Sequence, residues 1–171
     1  MPVTIIATAG AANANSYCTL AEANAYHDAR SVVASWDNAS NDEKSRALVM
    51  ATRLLDEHVE WKGEASTGTQ ALGWPRTYTY DLNGNEIVGD VVPQKLKEAE
   101  AEFARQLLEA DRSADSKTET EGVKEMKVGE IEFTFEYPHA KVLPDAVYYM
   151  IRHWAKSIRQ RNQVSVPLVR V

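Results

Sequence analysis

The chain has 171 residues, 44% hydrophobic and 26% charged, with a formal net charge of −6 at pH 7. That length favours one domain with a substantial core, and the composition is that of an ordinary globular protein. The single cysteine, Cys18, excludes an internal disulfide and a cysteine-paired zinc site, and no apolar run reaches the roughly 18 residues of a membrane helix. The charge is uneven: residues 141–171 carry +5 and residues 1–140 carry −11. An acidic body gains little from counterion release on a polyphosphate, which argues against whole-surface nucleic-acid binding. A basic tail suits an acidic partner surface.

The start, Met1-Pro2-Val3-Thr4-Ile5-Ile6, lacks the basic opening and long apolar stretch of a secretion signal, so a cytosolic product is expected. Val3 to Ile6 reads as a short strand or arm. Thr8 to Ser16 is mostly Ala, Gly and Asn and reads as irregular. A first helix starts at Thr19, where Thr19 and Glu22 have capping-box spacing, and runs to about Val33. Trp36 to Asn38 reads as a connector. A second helix has the capping box Ser40/Glu43 and an apolar stripe of Ala47, Leu48, Ala51, Leu54, Leu55 and Val59.

Next comes a loop rich in tryptophan: Trp61-Lys62-Gly63, then Gln70-Ala71-Leu72-Gly73-Trp74-Pro75-Arg76. A loop with this much apolar surface must bury it somewhere. Two readings are open for Trp61, Trp74, Pro75 and Arg76: a structural roof over the chain's own helices, or a contact with a neighbouring subunit. Asp81 to Asn85 reads as a tight turn, since Asn and Gly tolerate positive φ. It does not read as a calcium loop, which needs Gly at its sixth position and Glu at its twelfth, where this chain has Glu86 and Val92.

A third helix begins near Pro93, with Leu96, Ala99, Phe103, Leu107 and Leu108 on its apolar face and Glu98, Glu102 and Glu109 opposite; Glu100 falls near the stripe's edge. Arg112 to Gly122 reads as a polar loop. Residues 123–137 read as a hairpin turning near Val128-Gly129-Glu130, with Ile131, Phe133, Phe135 and Tyr137 on one face. A fourth helix opens at Leu143-Pro144-Asp145, with a stripe of Val147, Met150, Ile151, Trp154 and Ile158, and with Arg152, Lys156, Arg159 and Arg161 towards its end. The last residues, Val164 to Val171, are apolar and largely β-branched, and read as an extended segment that docks on a partner; Pro167 confines it to a sheet edge. The expected fold is therefore mainly α: a four-helix bundle over residues 1–161 with a small β-hairpin, and an extended C-terminal arm over 162–171.

No catalytic constellation emerges, so no enzyme is expected. His27, His58, His139 and His153 sit in no nucleophile motif. His58 with Asp56, Glu57 and Glu60 lacks the spacing of a zinc helix, the glutamates of helix three lack the Glu-x-x-His pairs of a di-iron bundle, and no glycine loop cradles phosphate. Metal and cofactor are therefore not expected. Tyr148, Tyr149, Trp154, Arg152, Lys156, Arg159 and Arg161 combine aromatic and basic groups as a single-strand platform would; the alternative is a core Trp154 and a solvated basic face.

Several blocks, in order, carry a resemblance: Asn15-Ser16-Tyr17, Glu22-Ala23-Asn24-Ala25-Tyr26, Trp61-Lys62-Gly63, Gln70 to Arg76, and Val92-Pro93 opening a helix. Over residues 3–110 this resembles the small phage and prophage proteins often labelled DnaT-like single-stranded-DNA-binding proteins. These in turn resemble the head-tail adaptors of tailed phages. The adaptor resemblance implies a ring of about twelve copies at the head-tail junction of the virion, joining the portal to the next connector, stopper or tail protein, with genomic DNA passing through its channel and no membrane contact. It makes Arg159, Arg161, Val164, Val166, Leu168, Val169 and Arg170 a portal-docking arm. The DnaT-like label implies the alternative, a single-stranded-DNA-binding replication accessory protein.

Overall fold

The structure is a computed structural model that describes residues 2–30, 33–110, 125–128, 131–134 and 142–158. Its elements, in chain order, are α1 (Leu20–Asp28), α2 (Ala34–Asp37), α3 (Asn41–His58), β1 (Val59–Trp61), β2 (Glu64–Ala65), β3 (Arg76–Thr77), α4 (Gln94–Glu109), β4 (Glu125–Val128), β5 (Ile131–Thr134), α5 (Asp145–Ile151) and β6 (Ala155–Ile158). Among the described residues the architecture is mixed, with five helices and three two-stranded antiparallel sheets, β1–β6, β2–β3 and β4–β5. The short strands add a β component that a four-helix bundle with one hairpin does not contain.

Both capping boxes form. The Thr19 hydroxyl accepts from the Glu22 N–H and the Ser40 hydroxyl from the Glu43 N–H, while each glutamate returns a bond to its cap's N–H. Asn15 fixes the N-terminal arm: its carboxamide oxygen accepts from the Ile6 N–H at 2.8 Å and its amide nitrogen donates to the Thr4 carbonyl at 2.9 Å. The arm is extended, but Val3 to Ile6 join no strand.

Helix α1 stops at Asp28, short of the expected Val33. A new helix, α2, follows, because Trp36 must fold back to bury itself on His27, 4.4 Å between ring centroids, with its Nε1–H donating to Asn24 at 3.0 Å. The fourth helix is also shorter than expected. Helix α5 ends at Ile151, and the chain turns through Arg152–Trp154 into β6, which pairs with β1 in the register Val59↔Ile158 and Trp61↔Ala155. The apolar positions 147, 151, 154 and 158 suit a continuous helix equally well; pairing with β1 decides against it. The expected hairpin is present as β4 and β5, in the register Glu125↔Thr134 to Val128↔Ile131. The polar loop at 112–122 and the arm at 162–171 lie outside the described residues.

Helix α4 is the hub, packing against α1, α2, α3 and α5. Leu96, Ala99, Ala101, Phe103 and Ala104 are buried, and so are Glu100, Glu102 and Gln106. The expected polar face thus does not survive at Glu102, because α4 is surrounded on more than one side. Glu102 is paired there with Arg30 and Arg105 and accepts from Gln106 at 3.1 Å. Cys18 is buried as a small apolar residue would be, its thiol pushed up by burial and by the nearby Glu100.

Glu100 is fully buried, and among the described residues its hydrogen bonds come from Ser16, Thr52 and Cys18 and from no cation. Its Oε1 lies 2.6 Å from the Ser16 hydroxyl and 2.6 Å from the Thr52 hydroxyl, and its Oε2 accepts from the Cys18 N–H at 2.8 Å. Each hydroxyl also faces a backbone carbonyl: Ser16 that of Cys18 at 2.7 Å, and Thr52 that of Leu48 at 3.1 Å. Each has one proton to share between two acceptors, so a proton on Glu100 Oε1 supplies a third donor and lets one of the two hydroxyls turn its own proton to its carbonyl. Burial accordingly raises the carboxyl from 4.5 to about 7, against the lowering effect of these hydrogen bonds. Because the folded value is raised, this group's contribution to stability is complete below its unfolded pKa and is lost as pH rises through about 7. His27, lowered by burial, acts oppositely and costs stability as pH falls below its ordinary value.

In Glu100→Gln the amide oxygen can accept from Cys18 while the amide nitrogen donates to both hydroxyls. Chemical denaturation from pH 5 to 8 should show the parent losing about 3 kcal/mol that the variant keeps. An identical slope in both proteins would refute the protonated assignment.

Candidate functional site

The tryptophan loop is built around Asp56, near the end of α3. Its Oδ1 accepts from the Tyr17 hydroxyl and from Trp61 Nε1–H at 2.9 Å, and its Oδ2 accepts from the Gly73 N–H at 2.9 Å. Burial raises the Asp56 carboxyl, while the bonds from Tyr17, Gly73 and Trp61 oppose the rise. Tyr17 is held well above its ordinary value by burial and by Asp56. Gly73 has no substitute, since a Cβ there would sit 2.6 Å from Trp61 Nε1 and 2.7 Å from Asp56 Oδ1.

Trp61 meets Trp74 edge-on at 6.1 Å, and Trp74 meets Trp154 at 5.8 Å. All three rings are buried, so the structure places Trp61 and Trp74 over the chain's own core. Pro75, joined by a cis peptide bond to Trp74, is buried with them. The Arg76 guanidinium is spent on backbone: Nε donates to the Lys62 carbonyl at 2.7 Å, Nη1 to Gly73 at 3.0 Å and Nη2 to Gly63 at 2.6 Å. The four loop residues singled out from sequence are therefore brought together in one cluster.

The residues that follow make an exposed surface. Tyr80 pairs with Glu86, and the Ile87 N–H donates to the Thr79 carbonyl at 2.8 Å. The Asp81 carboxylate closes the turn by accepting from the Asn83 and Asn85 N–H groups, both at 2.8 Å, with Gly84 at φ +84°. Thr79 is buried and Ile87 packs on the core, which leaves Tyr78 66%, Tyr80 50% and Val88 66% exposed, with Leu82 at the tip 76% exposed. Tyr78 reaches this position at φ +56°, a left-handed conformation that costs a non-glycine residue about 1–2 kcal/mol. Packing on either side holds it there: a Cβ on Gly63 would lie 2.3 Å from the Thr77 carbonyl and 2.7 Å from Thr79 Cγ2.

This second, 78–91 hairpin, distinct from β4–β5, abuts the turn between α5 and β6. Trp154 Nε1–H donates to the Tyr80 carbonyl at 2.9 Å, and Lys62 Nζ donates to the His153 carbonyl at 2.8 Å. On α5, Tyr149 is exposed, with the Arg152 guanidinium 5.2 Å from its ring centroid and Tyr148 edge-on at 5.3 Å. Lys156 on β6 is exposed and reaches Glu60 at 2.7 Å. Of the sequence's aromatic-basic set, Tyr149, Arg152 and Lys156 are at the surface, Tyr148 is half-buried, and Trp154 belongs to the core.

Arg159, Arg161, Val164, Val166, Leu168, Val169 and Arg170 lie outside the described residues. The carboxylates near His58 go to separate partners: Asp56 to the tryptophan loop, Glu57 to Arg53 and Glu60 to Lys156. No group of three metal-ligating side chains occurs among the described residues. Sequence reasoning found the Asp81–Asn85 turn but assigned nothing to the apolar residues flanking it. The available signal was Tyr78 and Tyr80 on one side of a tight turn and Ile87 and Val88 on the other.

Replacing Asp56 by Asn presents an amide hydrogen to at least one of three donors. Urea unfolding of Asp56→Asn should show a loss of about 1–3 kcal/mol, with a smaller loss for Tyr17→Phe. Unchanged midpoints would show that the loop does not depend on this carboxylate.

A family model described as "Putative DnaT-like ssDNA binding protein" matches residues 1–171. No curated protein and no solved structure matches the chain.

Proposed function

We propose a function from the premise that the chain belongs to the DnaT-like single-stranded-DNA-binding family: it contacts single-stranded DNA through the basic, aromatic edge formed by α5 and β6. The observation that carries this is the Arg152 guanidinium lying over the exposed Tyr149 ring, with Lys156 four residues on. A stacked guanidinium and a tyrosine face offer bases a sequence-tolerant platform, and the cations meet the phosphates. Arg159 and Arg161 continue the basic run in sequence. The −11 carried by residues 1–140 confines the footprint to this edge. Neither this reading nor the next includes catalysis.

Fluorescence anisotropy of a labelled oligothymidine should report binding that weakens steeply with salt, by about 0.7 in log–log slope for each phosphate contact. Tyr149→Ala should cost about 1–3 kcal/mol of affinity. Joint Arg152→Glu and Lys156→Glu should abolish most of the salt dependence. No binding at low salt, or binding indifferent to these changes, would refute the proposal.

A second reading is a structural adaptor: a ring at a phage head-tail junction, with one helical domain over residues 1–161 and the segment beyond it docking on the portal. The acidic body favours it, since a negative wall lets DNA slide without holding it. On this reading the full chain is retained by an immobilised portal ring, and Val166→Asp with Leu168→Asp releases it. Retention unaffected by those changes would remove the docking arm from this reading.

A further inference from the structure

We propose that the outward face of the 78–91 hairpin binds the C-terminal segment of a second copy of this chain, so that copies associate head to tail. The hairpin face combines exposed apolar side chains, Tyr78, Tyr80, Leu82, Val88 and Val91, with acidic charge. Between Thr77 and Gln94 the sequence has Asp81, Glu86 and Asp90 and no lysine or arginine. Such a face repels phosphate, and its exposed apolar stretch is of the kind that marks a protein contact. The hairpin face is separate from the Tyr149, Arg152 and Lys156 surface of the DNA reading, and the two readings share only Arg159 and Arg161.

Residues 159–171 have the complementary character. They carry Arg159, Arg161 and Arg170, no acidic side chain, and the apolar residues Val164, Val166, Leu168, Val169 and Val171. Opposite charge sets the encounter and orientation, while apolar side chains on both partners supply the burial. The direction of β6 selects a second copy over the same chain. β6 begins beside the hairpin, where Trp154 bonds to the Tyr80 carbonyl, and runs to Ile158 opposite Val59, at the far end of β1. The last described residue, Ile158, therefore lies at the end of β6 remote from the hairpin of its own chain, which places a second copy's hairpin as the occupant proposed here. A contact between two different surfaces of identical copies closes into a ring or extends as a filament.

The test is sedimentation velocity of the full chain across the micromolar range, with two sets of surface variants checked by circular dichroism. The parent should associate with rising concentration and dissociate with added salt. Leu82→Asp with Val88→Asp, and separately Val166→Asp with Leu168→Asp, should each weaken association at least about tenfold. Mixed together, these two variants should form a one-to-one pair and nothing larger, because one keeps only a working segment and the other only a working hairpin. Glu86→Arg with Asp90→Arg should also weaken association, and Arg159→Glu with Arg161→Glu in the mixing partner should restore it. A parent that stays monomeric, variants that associate as well as the parent, or a mixture that fails to pair would each overturn the proposal. Retention by a portal ring without self-association would overturn it too, by giving the segment a different occupant.

Discussion

Asp56 is the anchor of the tryptophan loop and of the surface built on it. One buried carboxylate at the end of α3 collects donors from three separate stretches of chain: Tyr17 before α1, Trp61 on β1 and the Gly73 N–H in the loop. A buried charge is tolerated only when its lone pairs are satisfied, so these stretches are held to one geometry or the carboxylate is stranded. The three tryptophans then pack edge to face across this point, and Arg76 ties off the carbonyls of Lys62, Gly63 and Gly73. A segment without regular secondary structure is thereby tied down by side-chain and guanidinium bonds in place of a backbone ladder.

That rigidity is transmitted to the surface. Trp154, the last ring of the cluster, bonds to the Tyr80 carbonyl and so sets the height of the hairpin that follows β3. Thr79 and Ile87 are drawn inwards, and their neighbours are forced out. The left-handed backbone at Tyr78 is the cost of this arrangement. An aromatic ring held outwards against its own backbone preference, on a platform fixed by buried tryptophans, is a pre-organised contact surface, and a pre-organised surface loses less entropy on binding.

Charge is handled differently in the interior and at the exterior. Inside, Glu102 is matched by Arg30 and Arg105, whereas Glu100 is matched by hydroxyls and one N–H and holds its proton into the neutral range. At the described surface, Arg152 after α5 and Lys156 on β6 are exposed cations, while the 78–91 hairpin carries Asp81, Glu86 and Asp90 and no cation. A basic aromatic edge suits phosphate and bases, and an acidic apolar hairpin suits a basic apolar peptide.

The sequence by itself determined the local features. Capping spacing placed the starts of α1 and α3, proline and apolar periodicity placed α4, and Asp81 to Asn85 announced a turn, because these depend on a few neighbouring residues and on backbone preference. The burial of Trp74 depends on Trp154, 80 residues away, which its neighbours in sequence do not announce. Tertiary structure alone decided where the fourth helix stops, since positions 147, 151, 154 and 158 suit a helix until β1 offers a pairing edge. It alone turned Glu100 and Glu102 inwards, since one helix's periodicity does not say how many neighbours surround it. It alone created the hairpin face, because which side of a short β-ribbon meets water is set by what packs beneath it.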